Sequence, residues 1–158
     1  MRLKVIGWDT GLRFSAAHFI PSHDKCSRLH GHDYCIDVTV EGSDNGGFII
    51  DFDILKQHAR EVIYKMDHHV LVPSRQTSIN YSMTEDSVQV SYNGKKHVFA
   101  KEDVFFVDVE VTSSEQMSAF ILEKLASKLK SNKNISRIEV CLYEGPGQGA
   151  CTSRDMND

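Results

Sequence analysis

Residues 30–41 read HGHDYCIDVTVE, and this stretch decides the fold. From His30 onward every second residue belongs to one row, which runs through Tyr34 to Val40 and is apolar after its first two members. A period of two is typical of a strand with one buried face, so we predict a strand over about 30–41. His30 and His32 both belong to this row, so their imidazoles lie on one face at one end of it.

A second alternating row precedes the first and also ends in histidine. Its members are Leu12, Phe14, Ala16 and His18, within a predicted strand over about 3–19. If the two strands pair, His18 joins His30 and His32, and three imidazoles converge. A lone His-x-His more often marks two ordinary strand histidines, but the third histidine favours a metal site. Three neutral histidines leave a fourth tetrahedral position open, as in catalytic zinc sites, so we predict a Zn²⁺ centre.

Cys26 lies between the two histidine-bearing strands and has two opposed interpretations. As a fourth zinc ligand it would close the site and make the metal structural. As a free thiol beside the metal it could act as a nucleophile or a proton-transfer base. Its neighbours, in the stretch DKCSR over 24–28, indicate an exposed loop with positive charge. The spacing leaves both interpretations open.

Two helices follow from apolar residues at helical spacing. The first is predicted over about 54–66, with Asp51 or Asp53 as its N-cap and His58 as a packed core histidine on its buried stripe. The second is predicted over about 115–130 and starts with a capping box, Thr112-x-x-Glu115.

The order of elements predicts the fold class. A final strand over about 135–144 alternates apolar residues and ends at Glu144. A strand pair, a helix, a middle segment, a helix and further strands together indicate an α+β fold, in which two helices pack on one face of an antiparallel sheet. In the middle segment, 75–110, alternating residues up to Asn93-Gly94 predict a β-hairpin. This segment shows no recognisable chemistry, and we expect it to serve in packing or subunit contact.

Composition narrows the classes of function. The 158 residues, 41% hydrophobic and 25% charged, predict a single globular domain over 1–158. A net charge of −4 argues against direct nucleic-acid binding. No apolar run reaches membrane-spanning length, and the first residues lack the pattern of a signal peptide, so we expect no membrane partner and a cytoplasmic location. The four cysteines lack Cys-x-x-Cys spacing, and we expect free thiols.

Three motifs in order resemble one family of enzymes. FSAAH over 14–18, CSRLHGH over 26–32 and DHH over 67–69 are similar to the 6-pyruvoyl-tetrahydropterin synthase and 6-carboxy-tetrahydropterin synthase family. The resemblance covers about residues 12–73 and 111–154. Simple members join these halves more briefly, so 75–110 is interpreted as an insertion.

The resemblance implies a role for each matching residue. It assigns the zinc ligands to His18, His30 and His32, the catalytic base to Cys26, and assistance in catalysis to Asp67 and His68. It assigns pterin binding to Glu144 and, through a Thr/Ser-Glu motif, to Glu115 and Ser114. Alternatives remain for three of these positions. Asp67-His68 could be a helix cap with a dipole-compensating histidine, Glu144 could mark a strand reaching solvent, and the capping box explains Glu115 almost as well.

The resemblance also implies a substrate, 7,8-dihydroneopterin triphosphate, and a homo-oligomer, a hexamer built as a dimer of trimers. The short gap between Cys26 and His30 is similar to the carboxy-forming branch, which makes 6-carboxy-tetrahydropterin for deazapurine (queuosine- or archaeosine-type) nucleosides. The nearest rival is the 6-pyruvoyl-forming activity. A rival of another class is a non-catalytic scaffold with a structural Cys-His₃ zinc site.

Overall fold

The computed structural model describes residues 1–156, and within them seven strands form the main sheet and three more form a small second sheet. Residues 157 and 158 of the predicted domain lie outside this described part. The strands are β1 (Arg2–Val5), β2 (Arg13–His18), β3 (His30–Gly42), β4 (His69–Pro73), β5 (Asn80–Met83), β6 (Ser87–Tyr92), β7 (Lys95–Ala100), β8 (Val104–Val107), β9 (Ile135–Glu144) and β10 (Gly149–Asp155). The α-helices are α1 (Gly7–Thr10), α2 (Phe52–Ile63) and α3 (Ser114–Leu129), and short 3₁₀ turns cover Lys25–Ser27, Tyr64–Met66 and Lys101–Asp103.

The main sheet has the strand order β10-β9-β3-β2-β4-β8, and β1 also pairs with β3. Its larger part is antiparallel, as predicted, but β4 runs parallel to both β2 and β8. Between β2 and β4 the chain includes α2, and between β4 and β8 it includes the inserted segment. These connections bring the chain back to the same end of the sheet before β4 and β8 begin, so these strands run parallel. The α+β class is confirmed, and the parallel pairs at this edge are an addition to it.

Both long helices pack on one face of the main sheet, as predicted. The row Ile36, Val38 and Val40 of β3 is fully buried in one core together with Leu55 of α2 and Leu125 of α3. Successive side chains of a strand point to opposite faces, so every second residue of β3 packs against the helices. This accounts for the alternating sequence of β3.

The first helix starts as predicted, but its buried stripe is narrower. The Asp51 carboxylate accepts from the N–H groups of Asp53 and Ile54 at 2.7 and 3.3 Å, which makes it the N-cap. His58 is not a fully packed core residue, because 29% of its side chain is exposed. It lies one helical turn after the exposed Ile54, at the edge of the apolar face.

The predicted capping box of the second helix is wrong. Ser113 is the N-cap residue of α3. Thr112 lies one residue further out and is fully buried, and its hydroxyl donates to the carbonyl oxygen of Phe19 at 3.2 Å. Thr112 therefore connects α3 to the end of β2 and does not cap the helix.

The predicted first strand, about 3–19, is two strands separated by the helical turn α1. The Gly7 N–H donates to the buried carboxylate of Asp37 at 2.9 Å, and Gly11 ends the turn with a positive φ of 72°. This irregular segment lets β1 and β2 pair with different parts of β3.

The inserted segment is larger than a hairpin. The turn at Asn93-Gly94 is confirmed, with φ values of 50° and 73°, and it joins β6 to β7. A further strand, β5, pairs with β6 and completes a three-stranded antiparallel sheet. Its buried residues form a second core with Phe19 and Val72 of the main body.

The expectation of free thiols is wrong for two of the four cysteines. Cys141 and Cys151 form a disulfide because antiparallel pairing of β9 and β10 sets them directly opposite each other. Cys26 and Cys35 are free.

None of the helices in residues 1–156 is long and apolar enough to cross a membrane.

We predict that Gly7→Ala destabilises the protein by about 3 kcal/mol, because an added Cβ would overlap the carbonyl oxygen of Ile36 and the sulfur of Cys35. Gly11→Ala is the matched control, since its Cβ meets no neighbour and only the left-handed backbone disfavours it, by about 1 kcal/mol. Urea unfolding of both variants measures the difference. Equal losses of stability would contradict the close approach at Gly7.

Candidate metal centre and active site

The pairing of β2 with β3 brings three histidine side chains together. His18 lies directly opposite His30, and Ala16 lies opposite His32. The ring centroids of the three imidazoles are 4.5 to 5.1 Å apart. One nitrogen from each ring lies within 4.8 Å of the others, so these residues can hold a metal ion.

Backbone carbonyls orient two of the three rings. His18 Nδ1 lies 2.8 Å from the carbonyl oxygen of Thr112, and His30 Nδ1 lies 2.7 Å from that of Arg28. A carbonyl oxygen only accepts, so each Nδ1 carries its proton and each Nε2 presents a lone pair. The two Nε2 atoms are 3.1 Å apart. Two lone pairs at this distance repel each other unless a cation or a shared proton separates them.

The third ring, His32, completes the donor set. Its Nε2 is buried and has no hydrogen-bond partner among the described residues, with the nearest carboxylate oxygen, from Glu144, at 3.8 Å. Burial lowers the pKa of His32, although the charge of Glu144 raises it in part. Burial also lowers the pKa of His18 to about 4. Neutral imidazoles are the form that binds metal, so the three residues fit a divalent metal ion.

Cys26 lies outside the histidine cluster. It is half-buried in the 3₁₀ turn Lys25–Ser27, between β2 and β3. Its N–H donates to His23 Nδ1 at 3.1 Å, and its carbonyl oxygen accepts from the N–H of Ile20 at 2.7 Å. Its thiol is not among the ligand atoms that lie within 4.8 Å of one another. This placement does not support Cys26 as a fourth metal ligand.

Asp67 and His68 form a hydrogen-bonded pair beside β2. One carboxylate oxygen of Asp67 accepts from the N–H of Ser15 at 2.8 Å, and the other lies 2.9 Å from His68 Nδ1. His68 has a positive φ of 60°, which is uncommon for a residue with a side chain, and its N–H donates to the Ser15 carbonyl oxygen at 2.6 Å. Asp67 therefore joins β2 to His68, which goes beyond the role of a helix cap.

The His68 side chain is 82% exposed and lines an open cleft of about 580 Å³ together with His32. Among residues 1–156, no hydrogen bond connects Asp67 or His68 to Cys26. The structure therefore places the Asp–His pair near one metal-site histidine without bringing it to the cysteine.

Glu144 lies at the end of β9, directly opposite Tyr34 of β3. Its side chain is 18% exposed, and it lies on the face of the sheet that carries the apolar row. The Tyr34 hydroxyl is buried without a hydrogen-bond partner in the described part of the chain. Burial raises the pKa of Tyr34, and the charge of Glu144 raises it further. Two residues beside Glu144, His32 and Tyr34, therefore have a buried polar atom with unused hydrogen-bonding capacity, as expected where a polar ligand binds.

Ser114 and Glu115 occupy the first turn of α3. Glu115 is exposed, and hydrogen bonds from its own N–H and from the Ser113 hydroxyl lower its pKa. In residues 1–156, hydrogen bonds and ion pairs from Ser114 or Glu115 to the histidines or Glu144 are absent. In this part of the chain, the hydrogen bond between the Thr112 carbonyl oxygen and His18 connects the start of α3 to the metal centre.

Sequence reasoning missed the residues that orient the site through their backbones. Thr112 and Arg28 act through carbonyl oxygens, which every residue possesses, so their identity carries no signal. Lys95 and Tyr92 were also missed. Their side chains contact the Cys26 loop, but they belong to a segment with no recognisable motif.

Comparison with known proteins identifies related sequences and structures. The model of the family described as 6-pyruvoyl tetrahydropterin synthase matches residues 10–155. A Methanocaldococcus jannaschii protein, provisionally named a 6-carboxy-5,6,7,8-tetrahydropterin synthase, is 34% identical over 96% of this chain and 95% of that protein. A Bacillus subtilis protein named 6-carboxy-5,6,7,8-tetrahydropterin synthase is 48% identical over 29% of this chain and 34% of that protein. The structure of a catalytic-residue mutant of Plasmodium vivax 6-pyruvoyltetrahydropterin synthase has a TM-score of 0.90 and 28% identity, covering 98% of each chain.

We predict that His32→Ala loses most of the bound metal, because it removes one of three donors, whereas Cys26→Ala keeps about one metal ion per chain. Elemental analysis of both purified variants beside the wild type measures this difference. Loss of metal from Cys26→Ala as complete as from His32→Ala would show that the thiol is a ligand and would contradict the three-histidine site.

Proposed function

The chain belongs to the 6-pyruvoyl tetrahydropterin synthase family, and we propose that it is a zinc-dependent 6-carboxy-5,6,7,8-tetrahydropterin synthase. In this reaction 7,8-dihydroneopterin triphosphate and water give 6-carboxy-tetrahydropterin, acetaldehyde and triphosphate. The convergence of three imidazole nitrogens within 4.8 Å carries the proposal, because three protein ligands leave a fourth position at a bound metal open for substrate. Similarity over 96% of the chain to a protein provisionally named for this activity supports the choice of product.

His18, His30 and His32 are the residues that would hold zinc. Bound zinc would act as a Lewis acid and polarise the side-chain hydroxyls of the substrate. The hydrogen bonds from the Nδ1 atoms of His18 and His30 to the carbonyls of Thr112 and Arg28 hold two rings in a ligating orientation, at 2.8 and 2.7 Å.

Cys26 is proposed as the base that removes a proton from a side-chain carbon of the substrate. It is a free, half-buried thiol on the loop that joins the two histidine-bearing strands, outside the ligand cluster. A cysteine thiolate that a nearby cation stabilises can act as a general base.

Asp67 and His68 are proposed to relay protons. Asp67 accepts from His68 Nδ1 at 2.9 Å, which leaves the Nε2 atom of His68 free to give or take a proton. His68 is mostly exposed and makes no hydrogen bond to Cys26 within residues 1–156, and a homo-oligomer whose sites combine residues of two subunits would bring the two together. We propose the hexamer, a dimer of trimers, that the family resemblance implies.

Glu144 is proposed as the pterin anchor. The pterin ring presents two parallel N–H donors, from its 2-amino group and N3, and a carboxylate accepts such a pair through both oxygens. The role is supported by the half-buried position of this carboxylate, whose nearest basic nitrogen in the described structure is His32 Nε2 at 3.8 Å. Ser114 and Glu115 are proposed as additional pterin contacts, from the exposed first turn of α3.

The product would serve the synthesis of deazapurine nucleosides of tRNA, of the queuosine or archaeosine type, and the enzyme would act on the free pterin without binding nucleic acid or membrane. We propose a cytoplasmic location, where such a small-molecule substrate would be available. The net charge of −4 supports the absence of nucleic-acid binding.

The second candidate is the 6-pyruvoyl-forming activity. It is favoured by the similarity to a Plasmodium vivax 6-pyruvoyltetrahydropterin synthase, which extends over 98% of this chain and therefore includes the inserted segment. A non-catalytic scaffold with a Cys-His₃ site is not favoured, because the Cys26 thiol lies outside the ligand cluster.

We predict that incubation with 7,8-dihydroneopterin triphosphate releases acetaldehyde in a yield equal to that of 6-carboxy-tetrahydropterin. Both candidate activities release triphosphate, so only the fate of the side-chain carbons separates them. A coupled aldehyde assay together with mass analysis of the pterin makes this measurement. A 6-pyruvoyl product without aldehyde would assign the protein to the second activity.

We predict that Glu144→Gln weakens pterin binding by about 2–4 kcal/mol, because it replaces an acceptor oxygen with a donor that faces the donors of the ring. Glu139→Gln is the matched control, since Glu139 lies on the same strand but on the opposite face, near Arg2. Calorimetric titration with a pterin and elemental analysis check affinity and metal content. Unchanged affinity in Glu144→Gln would remove this residue from the proposed site.

A further inference from the structure

The tip of the inserted sheet contacts the loop that carries Cys26. Lys95 Nζ donates to the carbonyl oxygen of Ser27 at 2.8 Å and lies 3.0 Å from its hydroxyl oxygen. The Tyr92 hydroxyl donates to the same carbonyl oxygen at 2.9 Å. Two side chains of the insertion therefore hold the peptide group between Ser27 and Arg28, one residue beyond Cys26.

A second contact holds the start of the same loop. The Asn93 side-chain amide donates to the carbonyl oxygen of Pro21 at 2.6 Å. The Tyr92 ring stacks on Phe19 with centroids 4.4 Å apart and an interplanar angle of 5°. Phe19 is fully buried and directly follows the metal-site residue His18, so the contact between insertion and loop is part of a core.

The loop that carries Cys26 contains little regular secondary structure. Between β2 and β3 its only regular element is the three-residue turn Lys25–Ser27. The Ser27 hydroxyl donates to the Asp24 carbonyl oxygen at 2.8 Å and accepts from Lys95, so one chain of hydrogen bonds runs from the insertion across this turn. Hydrogen bonds within the loop, such as that from the Ile20 N–H to the Cys26 carbonyl oxygen, also hold this turn, and groups outside the loop hold it further. Here the outside groups are Lys95 and Tyr92.

We propose that Lys95 and Tyr92 are positioning residues for Cys26, and that residues 75–110 support the catalytic loop through them. The inference rests on the proposed function, because it requires Cys26 to be the proton-transfer base. It gives the insertion a role in the reaction in addition to the packing or subunit contact expected from sequence. Since neither side chain forms a hydrogen bond to His18, His30 or His32 in the described structure, we expect the effect on the chemical step, with metal and substrate binding intact.

Lys95→Met tests the inference, because it keeps the length of the side chain and removes the donors. We expect kcat to fall about tenfold, since small misplacement of a reacting group slows the chemical step strongly, while KM changes less than about twofold. Metal content stays unchanged, and hydrogen exchange of the amides of residues 26–28, followed by mass spectrometry, becomes faster. Lys96→Met is the matched control, because Lys96 is the exposed neighbour on the same strand, and we expect no change in any of these measurements.

Two further variants keep the test independent of folding. Lys95→Arg retains a cationic donor and should restore most of kcat, which a general loss of stability would not explain. Tyr92→Phe keeps the stacking on Phe19 and removes only the hydroxyl. Because Tyr92 and Lys95 donate to the same carbonyl oxygen, the losses of kcat in the double variant should not be additive.

The outcomes distinguish this inference from the proposed function. Full turnover by Cys26→Ala would refute the role of Cys26 as the base and with it the positioning role, but the proposed activity would stand. A wild-type protein without turnover would refute the proposed activity itself. An inactive Cys26→Ala together with full turnover or unchanged amide exchange in Lys95→Met would overturn the positioning role alone. Loss of metal from Lys95→Met would also overturn it, because the effect would then act through the histidines.

Discussion

The antiparallel register of β2 and β3 is the constraint on which the site depends. It sets His18 opposite His30 and places His32 on the same face two residues later. A shift of one residue would turn one of these strands over and separate the ligands onto opposite faces. Buried aromatic residues hold the register, since Phe14 stacks on Tyr34, its partner across the strands, with ring centroids 4.9 Å apart. The core therefore positions the metal ligands directly.

The metal site also requires that each histidine ring is correctly oriented. Contacts between residues that are distant in sequence provide this orientation. The carbonyl that fixes the His18 tautomer belongs to Thr112, 94 residues away in sequence. Thr112 is held there because α3 packs on the main sheet and because its hydroxyl donates to Phe19. The helix thus contributes to the metal centre through the position of the residue before its N-cap, in addition to covering the core.

The proposed catalytic groups differ in how firmly the fold holds them. The histidines lie on paired strands, Cys26 lies on a loop, and His68 is mostly exposed with a positive φ. A metal ligand set needs fixed geometry, whereas a base has to approach substrate. The inserted sheet adds hydrogen bonds to the Cys26 loop from Lys95 and Tyr92. The disulfide between Cys141 and Cys151 joins the neighbouring strands β9 and β10. Cys141 belongs to β9, the strand that ends at Glu144.

The sequence by itself determined the elements whose signals are local. The period of two from His30 onward identified the histidine row, Asp51 was one of two candidate N-caps for α2, and Asn93-Gly94 identified a turn, because each depends on residues close in the chain. Only the tertiary structure decided the parallel pairing of β4, the disulfide and the hydrogen bonds of Thr112. Each of these depends on which distant backbone segment lies alongside, and neither spacing nor composition encodes that. The same reason hid the contact between Lys95 and the loop of Cys26, since a lysine on a strand looks like any exposed charge until the strand is placed in space.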